Sequence, residues 1–282
     1  MVGRSRRRDV AGALKGEGLS QRRASTLMGM SRRTLKRPTA RSKDDTLRAE
    51  LTTLATNFPR FGYRMLHGLI RLAGQTVNIK RVYRIYREEG LVVRRRRRKK
   101  LVRGRVAMTP PTRLRERWSM DFVSDQLVDG RRFRILNVLD DCSHLCLWQE
   151  VDFSLSGHRV VRVLEQLVLL YGKPSSIIVD NGPEFTCVAM QLWAKRNGIV
   201  LLYIQPGKPT QNAFVESYNG KFRDECLNEH LFMNIEEARE VIENRRQFYN
   251  TVRPHSSLGY VPPEQFEASF NPQPLSSQVV PL

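Results

Sequence analysis

The sequence predicts an α/β chain, in which a mixed sheet with helices on both faces follows an all-α helix-turn-helix region. From about residue 117 onward, hairpin-forming strand patterns come first and strands that alternate with helices follow, an order typical of a mixed sheet. Before that point, the patterns are those of short helices separated by glycine. Hydrophobic residues make up 40% of the 282 residues, enough for a core in spite of the high charge.

Two short helices joined by a glycine turn are predicted between residues 18 and 37. Ser20 caps a helix that reaches Met28, Gly29 makes the turn, and Ser31 caps a second helix that should end at Pro38. Basic side chains on the second helix favour a helix-turn-helix. The alternative is a small helical hairpin with a solvated basic face.

A second pair of helices is predicted after the break at Pro59. One spans residues 63–72, and the other is capped by Asn78, runs to Glu89 and stops at Gly90. We expect one apolar face of this last helix to be buried, namely Ile79, Val82, Tyr83 and Tyr86. The remaining surface of the helix is basic, so it is a candidate to lie on a nucleic acid.

The α/β region is predicted to hold three antiparallel strands, a helix, a strand, a helix and a last strand. In chain order these are Trp118–Ser124, Phe133–Leu139, Leu145–Val151, Gly157–Tyr171, Ser176–Val179, Glu184–Arg196 and Ile199–Ile204. The first of the two helices should bury the side formed by Val160, Val163, Leu164, Leu167 and Leu170. A C-terminal helix follows Asn234, which forms a capping pair with Glu237.

Charge divides the chain into two unlike parts. Residues 1–117 contain 33 Lys and Arg against 8 Asp and Glu, a balance of +25 (33 − 8), whereas residues 118–282 contain 15 against 20, a balance of −5 (15 − 20). The basic part can neutralise phosphates, whereas the acidic part would repel DNA unless its carboxylates bind cations. The candidate DNA contacts are Arg32, Arg33, Lys80, Arg81, Arg84, Lys208 and Gln211. For the last two, which share a loop, simple solvation is the alternative.

Three acidic residues of the α/β region are candidate metal ligands. Asp121 lies within the first strand, Asp180 ends a strand before the turn NGPEF, and Glu216 lies on the polar face of a helix. In-line displacement at a phosphodiester uses two divalent ions, and Mg²⁺ prefers carboxylate oxygens. We assign Asp121 to both ions, Asp180 to one and Glu216 to the other, and expect Mn²⁺ to substitute. Asn181 and Glu184 are candidates to support this site, and Glu184 is a candidate stand-in for one of the three acids, although a charge in the first turn of a helix is the simpler role for Glu184.

Several motifs resemble the bacterial insertion-sequence transposases of the DDE type, an integrase catalytic core family that is related to retroviral integrases. They are WSMDFVSD around Asp121, VDNGPEF at Asp180 and PGKPTQNAFVESYNGKFRDECLNEHLF around Glu216, with 58 and then 35 residues between the acids. The resemblance continues through YNTVRPHSSLGYVPPEQF and, before the acids, through FGYRMLHGLIRL and NIKRVYRIYREEGL. It covers roughly residues 15–268 and corresponds to the second reading frame of such elements.

The resemblance implies a ribonuclease H-like core and a Mg²⁺-dependent polynucleotidyl transferase, with Asp121, Asp180 and Glu216 as its catalytic triad. The implied transposase binds the terminal inverted repeats of its element and catalyses DNA strand cleavage and strand transfer into target DNA, as a homo-oligomer on DNA. The run Arg-Pro-His at residues 253–255 belongs to the resemblance, and docking of the C-terminal helix is its simplest role.

The predicted domains follow from these patterns. A helix-turn-helix DNA-binding region spans residues 1–93, a basic linker 94–114, a ribonuclease H-like core with a C-terminal helix 115–270, and a flexible tail 271–282. The arginine-rich leader leaves open a further segment, or a partner protein, from an upstream frame of the element.

Two other functions stay open at this point. One is a nuclease of the same fold without a mobile element, and the other is a DNA-binding regulator or domesticated integrase-like protein with an idle catalytic site. The four cysteines are expected to be thiols, and the sequence has neither a signal peptide nor a run of ~20 apolar residues. We therefore expect a cytoplasmic, nucleoid-associated bacterial protein with no membrane partner.

Overall fold

The computed structural model describes residues 4–36, 44–93, 111–205 and 209–270, with the side chains of residues 4–6, 36 and 209–210 excepted. The chain forms two compact units, one from Met1–Pro59 and Asn78–Val92 and the other from Arg60–Val77 and Val93–Leu282. In the described ranges no helix is both long enough and apolar enough to cross a membrane.

The part of the chain before residue 94 is helical. Its helices are α1 (Arg4–Gly16), α2 (Gln21–Leu27), α3 (Arg32–Lys36), α4 (Asp45–Asn57), α5 (Tyr63–Leu72) and α6 (Ile79–Glu88). The sequence does not predict α1 or α4. In α1 the apolar pattern is weak, since Ala11 is its one buried hydrophobic residue among those described.

The predicted caps of this region are present. Ser20 accepts a hydrogen bond from the Arg23 N–H at the start of α2, Ser31 accepts one from the Thr34 N–H, and Asn78 caps α6. Gly29 has a φ of 58°, so the turn between α2 and α3 uses the left-handed backbone that glycine adopts readily. Pro38, the predicted end of α3, lies outside the described residues.

The buried face of α6 differs from the predicted one. Val82, Ile85 and Tyr86 are buried, whereas Ile79 is 38% exposed and Tyr83 is 45% exposed. The prediction is wrong for these two residues because the apolar face of α6 is wider than the surface of the elements that pack against it. Helix α6 packs against α4 in the same unit.

A five-stranded mixed sheet forms the centre of the second unit. Its strands and the helices that follow them are β1 (Arg117–Gln126), β2 (Arg132–Asp140), β3 (Cys146–Asp152), α7 (Gly157–Tyr171), β4 (Ser176–Val179), α8 (Pro183–Thr186), α9 (Val188–Asn197), β5 (Val200–Tyr203), α10 (Ala213–Glu225), α11 (Ile235–Thr251) and α12 (Pro263–Phe270). The strand order is β3-β2-β1-β4-β5, with β1, β2 and β3 antiparallel and β1, β4 and β5 parallel. The predicted mixed sheet is confirmed.

The two faces of the sheet carry separate hydrophobic clusters. Trp118 and Met120 of β1 pack with residues of α7 and α9, whereas Val123 of β1 packs with residues of α10 and α11. Because side chains alternate along a strand, Asp121 shares the face of Val123 and so faces α10. Leu170, predicted to be buried, is 68% exposed at the end of α7.

The helix predicted over residues 184–196 is two helices. Between α8 and α9, Cys187 has an extended backbone, with φ −65° and ψ 154°. The start of α7 approaches this break so closely that a Cβ on Gly157 would lie 2.3 Å from the Cys187 Sγ. The break therefore gives α7 room beside α8 and α9.

Helix α5 belongs to the same compact unit as the sheet, although the sequence groups it with the helical region before residue 94. Gly68 of α5 lies against Pro254, whose Cβ would be 2.9 Å from a Cβ at position 68. The guanidinium of Arg253 lies over the Phe61 ring and also binds Glu225 of α10 through two hydrogen bonds of 2.8 and 2.6 Å. The Arg-Pro-His run thus connects α5 with α10.

The ion pair between Glu225 and Arg253 yields a stability prediction, because both side chains are less than 10% exposed. Glu225→Gln leaves a buried guanidinium without its counter-charge, which we expect to lower the free energy of unfolding by about 3 kcal/mol. Denaturant unfolding of the two proteins measures this difference. The control is Asp129→Asn, since the pair of Asp129 with Arg131 is exposed and its loss should cost less than about 1 kcal/mol. Equal losses in the two variants would contradict a structural role of the buried pair.

Candidate functional site

Asp121 lies near the middle of β1 with each carboxylate oxygen held by one donor. Its Oδ1 accepts a hydrogen bond of 2.8 Å from the Phe122 N–H, and its Oδ2 accepts one of 2.8 Å from Asn219 Nδ2 of α10. Burial raises the pKa of Asp121, these two hydrogen bonds lower it, and the charge of Asp180 raises it further. The net effect is a raised pKa, because burial and the charge of Asp180 outweigh the two hydrogen bonds.

Asp180 follows directly after β4, the parallel neighbour of β1. The last pair of the β1–β4 ladder is Ser119 with Ile178, so Asp121 and Asp180 each lie two residues beyond it on adjacent strands. The Gly182 N–H donates to Asp180 Oδ1 over 2.8 Å, which folds the backbone into a tight turn. Asn181 donates to the Ile204 carbonyl at the end of β5 and so ties this turn to the next strand.

Glu216 comes from α10, whose polar face lies along β1. Asn212 Nδ2 donates to the Met120 carbonyl over 3.1 Å, and Arg223 donates to the Ser124 carbonyl over 3.2 Å. Glu216 lies one turn after Asn212 on this face. Partial burial of its carboxylate and the charge of Asp121 raise the pKa of Glu216, although the side chain is exposed to solvent. Asp121 is therefore coupled electrostatically to both of the other acids.

The three acids do not form a closed ligand cluster. Within the described residues, no group of three or more His, Cys, Asp and Glu side chains lies close enough together to hold a metal ion. The donor set nevertheless fits a hard divalent cation, because it consists of carboxylate oxygens whose mutual repulsion a cation would relieve. Of the three acids, Glu216 has an exposed side chain, whereas Asp121 and Asp180 are half-buried.

Glu184 lies beside this site and has its own counter-charge. It occupies the first turn of α8 and forms an ion pair with Arg134 of β2, whose guanidinium lies 4.1 Å from the centre of the Phe122 ring. Burial alone would raise the pKa of Glu184, but the hydrogen bond and the charge of Arg134 lower it. Because Arg134 already neutralises this acid, Glu184 is a poor substitute ligand.

The candidate DNA contacts have unequal surroundings. Arg32, Arg33 and Lys80 are exposed. Two others, Arg81 and Arg84, bind the buried Asp44 and thereby attach α6 to the start of α4. Burial alone would raise the pKa of Asp44, but hydrogen bonds from the two arginines lower it.

Of the two loop candidates for DNA contact, one lies within the described residues. Gln211 accepts a hydrogen bond of 2.7 Å from the Gln205 N–H, which links the end of β5 with the start of α10. Lys208 lies outside the described residues.

The sequence does not predict two residues that are connected to Asp121 through Asn219. Asn137 of β2 donates to Asn219 Oδ1 over 2.6 Å, and Gln149 of β3 donates to Asn137 Oδ1 over 2.7 Å. Both are buried. The available signal was a polar residue inside the apolar run ILNVL, since a buried amide requires partners.

Comparison with known proteins extends over most of the chain. Two models of an integrase core domain match residues 111–209 and 197–263, and a model of an HTH-like domain matches residues 42–99. The insertion element IS407 uncharacterized 31.7 kDa protein of Burkholderia multivorans is 47% identical over 252 residues, which cover 89% of this chain and 91% of that protein. The putative transposase InsK for insertion sequence element IS150 of Escherichia coli is 26% identical over 234 residues, covering 77% of this chain and 81% of the relative.

A solved structure shares the fold. It is the cryo-EM structure of the simian T-cell lymphotropic virus intasome in complex with PP2A regulatory subunit B56 gamma, with a TM-score of 0.51 and 15% sequence identity over 82% of this chain and 77% of that chain. The predicted fold class, an α/β integrase-like core after a helical HTH-like region, is confirmed. The HTH-like match spans α4, α5 and α6, rather than the predicted pair α2 and α3.

Gly182 offers a test of the site that depends on geometry alone. A Cβ at this position would lie 2.9 Å from Asp180 Oδ1 and 3.1 Å from Glu184 Oε2, so Gly182→Ala must displace the Asp180 carboxylate. We expect Mn²⁺ binding to weaken by about tenfold, as measured by electron paramagnetic resonance of the free ion. The control is Gly220→Ala in α10, where a Cβ meets nothing within 4 Å. That variant should gain roughly 0.5–1 kcal/mol of stability and bind Mn²⁺ normally. Normal binding in both variants would contradict a role of Asp180 in holding metal.

Proposed function

The chain belongs to the integrase-core transposases of bacterial insertion sequences, and from that premise we propose that Asp121, Asp180 and Glu216 are its catalytic carboxylates. The observation that carries this proposal is the placement of three acids from distant parts of the sequence: Asp121 and Asp180 lie two residues beyond the same ladder pair, and hydrogen bonds from α10 to β1 flank Glu216. Asp121 lies on β1, Asp180 follows its parallel neighbour β4, and Glu216 lies on α10, which packs on the same sheet. The reaction is polynucleotidyl transfer, in which a DNA strand is cut and its end is joined to a target strand.

Divalent cations complete the site in this proposal. Asp121 would contact two Mg²⁺ ions, Asp180 one of them and Glu216 the other, and Mn²⁺ would replace Mg²⁺. When bound, such ions activate the attacking oxygen and stabilise the departing one in an in-line displacement at phosphorus.

The protein's own groups orient the acids. The Phe122 N–H and Asn219 hold both oxygens of Asp121, and the Gly182 N–H holds Asp180. These donors are neutral, so they fix each carboxylate without removing the negative charge that attracts a cation. The carboxylates themselves repel DNA phosphates, and the cations reverse this local sign.

We assign DNA binding chiefly to the basic part of the chain. The exposed Arg32, Arg33 and Lys80 are the first candidates for phosphate contacts, and Arg81 and Arg84 contribute their exposed surfaces while they bind Asp44. Lys208 and Gln211 precede the Glu216 helix and are proposed to contact DNA near the reacting strand. The DNA ligands are the terminal inverted repeats of the element and the target duplex.

The proposed assembly is a homo-oligomer on DNA, since a transposase must hold two element ends and a target together. A protein from an upstream reading frame is a further proposed partner. We place the reaction at the bacterial nucleoid in the cytoplasm, where the DNA substrates lie.

Asp180→Asn tests the assignment of the catalytic acids. This substitution keeps the size of the side chain and removes the charge that would hold a cation, so we expect it to abolish Mg²⁺-dependent nicking and joining of an oligonucleotide that bears the element end. Denaturing gels that resolve nicked and joined products measure both steps. Asp129→Asn, in an exposed turn, is the control and should retain full activity.

Two results would oppose the proposal. Full activity of Asp180→Asn would remove the residue from the site. Tight end binding without cleavage by the unaltered protein, in Mg²⁺ and in Mn²⁺, would favour a DNA-binding regulator with an idle catalytic site.

Salt dependence tests the assignment of DNA binding to the basic part. The binding experiment uses the whole chain. A fragment that ends at residue 117 would separate residues 60–77 from the sheet, with which they form one compact unit. Replacement of Arg94–Arg98 by glutamine should reduce the slope of log affinity against log salt concentration by about 0.9 for each phosphate that the protein no longer neutralises. Fluorescence anisotropy over a salt series measures the slope. An unchanged slope would exclude this run from DNA binding.

A further inference from the structure

A row of three amide side chains runs from Asp121 into the interior of the sheet. Asn219 Nδ2 donates to Asp121 Oδ2 over 2.8 Å, Asn137 Nδ2 donates to Asn219 Oδ1 over 2.6 Å, and Gln149 Nε2 donates to Asn137 Oδ1 over 2.7 Å. Each of the three amides therefore donates one N–H in the direction of the carboxylate.

The register of three strands brings the members of this row next to one another. Asp121 of β1 lies opposite Asn137 of β2, and Asn137 lies opposite Gln149 of β3. These three residues share the face that α10 covers, and Asn219 closes the row from the helix. Asn137 is 0% exposed and Gln149 is 8% exposed, so water has little part in choosing the direction of the amides.

The direction of the row follows from Asp121. An ionised carboxylate only accepts hydrogen bonds, so Asn219 must offer it the N–H side of its amide. The Asn219 oxygen then faces Asn137, which must offer its own N–H, and the same argument orients Gln149. The row ends at Gln149 Oε1, which is buried and has no hydrogen-bond partner among the described residues.

The unpaired Gln149 oxygen is informative. A buried acceptor without a partner costs about 1–3 kcal/mol. Reversal of all three amides would offer that oxygen the Asn137 N–H, but it would leave the Gln149 NH₂ unpaired in its place and would set the Asn219 oxygen against the Asp121 carboxylate. The observed direction thus leaves the unpaired acceptor at the end far from Asp121 and keeps a donor beside the acid.

We propose that Asn219 is a positioning residue for Asp121, and that Asn137 and Gln149 hold its amide with the N–H toward the carboxylate. This inference rests on the proposed role of Asp121 as a metal-binding catalytic acid. With Asn219 on Oδ2 and the Phe122 N–H on Oδ1, the carboxylate plane is fixed and its remaining lone pairs are free for cations.

Asn137→Asp is the sharpest test, because it preserves size and replaces the N–H that faces Asn219 with a carboxylate oxygen, as Asn250→Asp does outside the row. The Asn219 amide is then expected to turn, donate to the new carboxylate and present its oxygen to Asp121. We expect about a tenfold loss of Mn²⁺ affinity, measured by electron paramagnetic resonance on the DNA-free protein. We also expect kcat for end cleavage to fall at least as much, with an unchanged KM for the DNA.

Asn250→Asp is the matched control. Asn250 is 2% exposed and bonds the backbone of Cys146 on β3, so it is a buried amide of the same kind outside the row. Both variants should lose stability in denaturant unfolding, but only Asn137→Asp should lose Mn²⁺ affinity. Gln149→Met serves as a milder second variant, which removes one donor together with the unpaired oxygen and should give an intermediate loss of Mn²⁺ affinity with little loss of stability.

The outcomes separate the two proposals. Unaltered Mn²⁺ affinity and kcat in both Asn137→Asp and Gln149→Met would overturn the positioning role, and so would equal losses in Asn137→Asp and Asn250→Asp. If Asn137→Asp does not fold, Gln149→Met decides by itself. Activity of Asp180→Asn in the same assay would instead refute the catalytic site, whatever the amide variants do.

Discussion

The attachment of α10 to β1 is the constraint on which the site depends. Asn212, Asn219 and Arg223 lie on one face of the helix, and each donates a hydrogen bond to β1, at the Met120 carbonyl, the Asp121 carboxylate and the Ser124 carbonyl. Glu216 lies within this row of donors. Since Glu216 and Asp121 repel each other, these hydrogen bonds and the apolar contacts of α10 with the same face of the sheet supply the attraction that keeps the helix on the strand.

Charge and ring contacts also hold the C-terminal half of α10. Glu225 forms ion pairs with Arg245 of α11 and with Arg253, and the ring of Tyr218 packs edge-on against that of Tyr249 at 4.7 Å. Because Arg253 also lies over Phe61, the same contacts bring α5 into this unit. A helix that looks from its sequence like part of a DNA-binding region is therefore bound to the elements that orient Glu216.

Local periodicity predicts the helices and strands well. The features that it does not predict depend on contacts between elements that are distant in the sequence. The predicted bounds of α5, α7 and β4 agree with the structure, since amphipathic spacing and caps are properties of short segments. Tyr83 and Leu170 are predicted to lie on buried faces but are exposed. The apolar face of a helix does not reveal how much of that face the packing elements cover. The three acids could be proposed from residue type and spacing, but the row through Asn137 and Gln149 depends on the register of three strands.

The three acids differ from several other buried or partly buried carboxylates in the kind of partner they have. Asp44, Glu184 and Glu225 each bind at least one arginine, which neutralises their charge within the protein. In the described ranges, Asp121, Asp180 and Glu216 form no ion pair, and the hydrogen bonds to the first two come from backbone N–H groups and an amide. Their charge is thus left without a counter-charge where β1, the end of β4 and α10 meet. Arg134 keeps the neighbouring Glu184 out of this arrangement, so the fold both collects the negative charge and limits which acids share it.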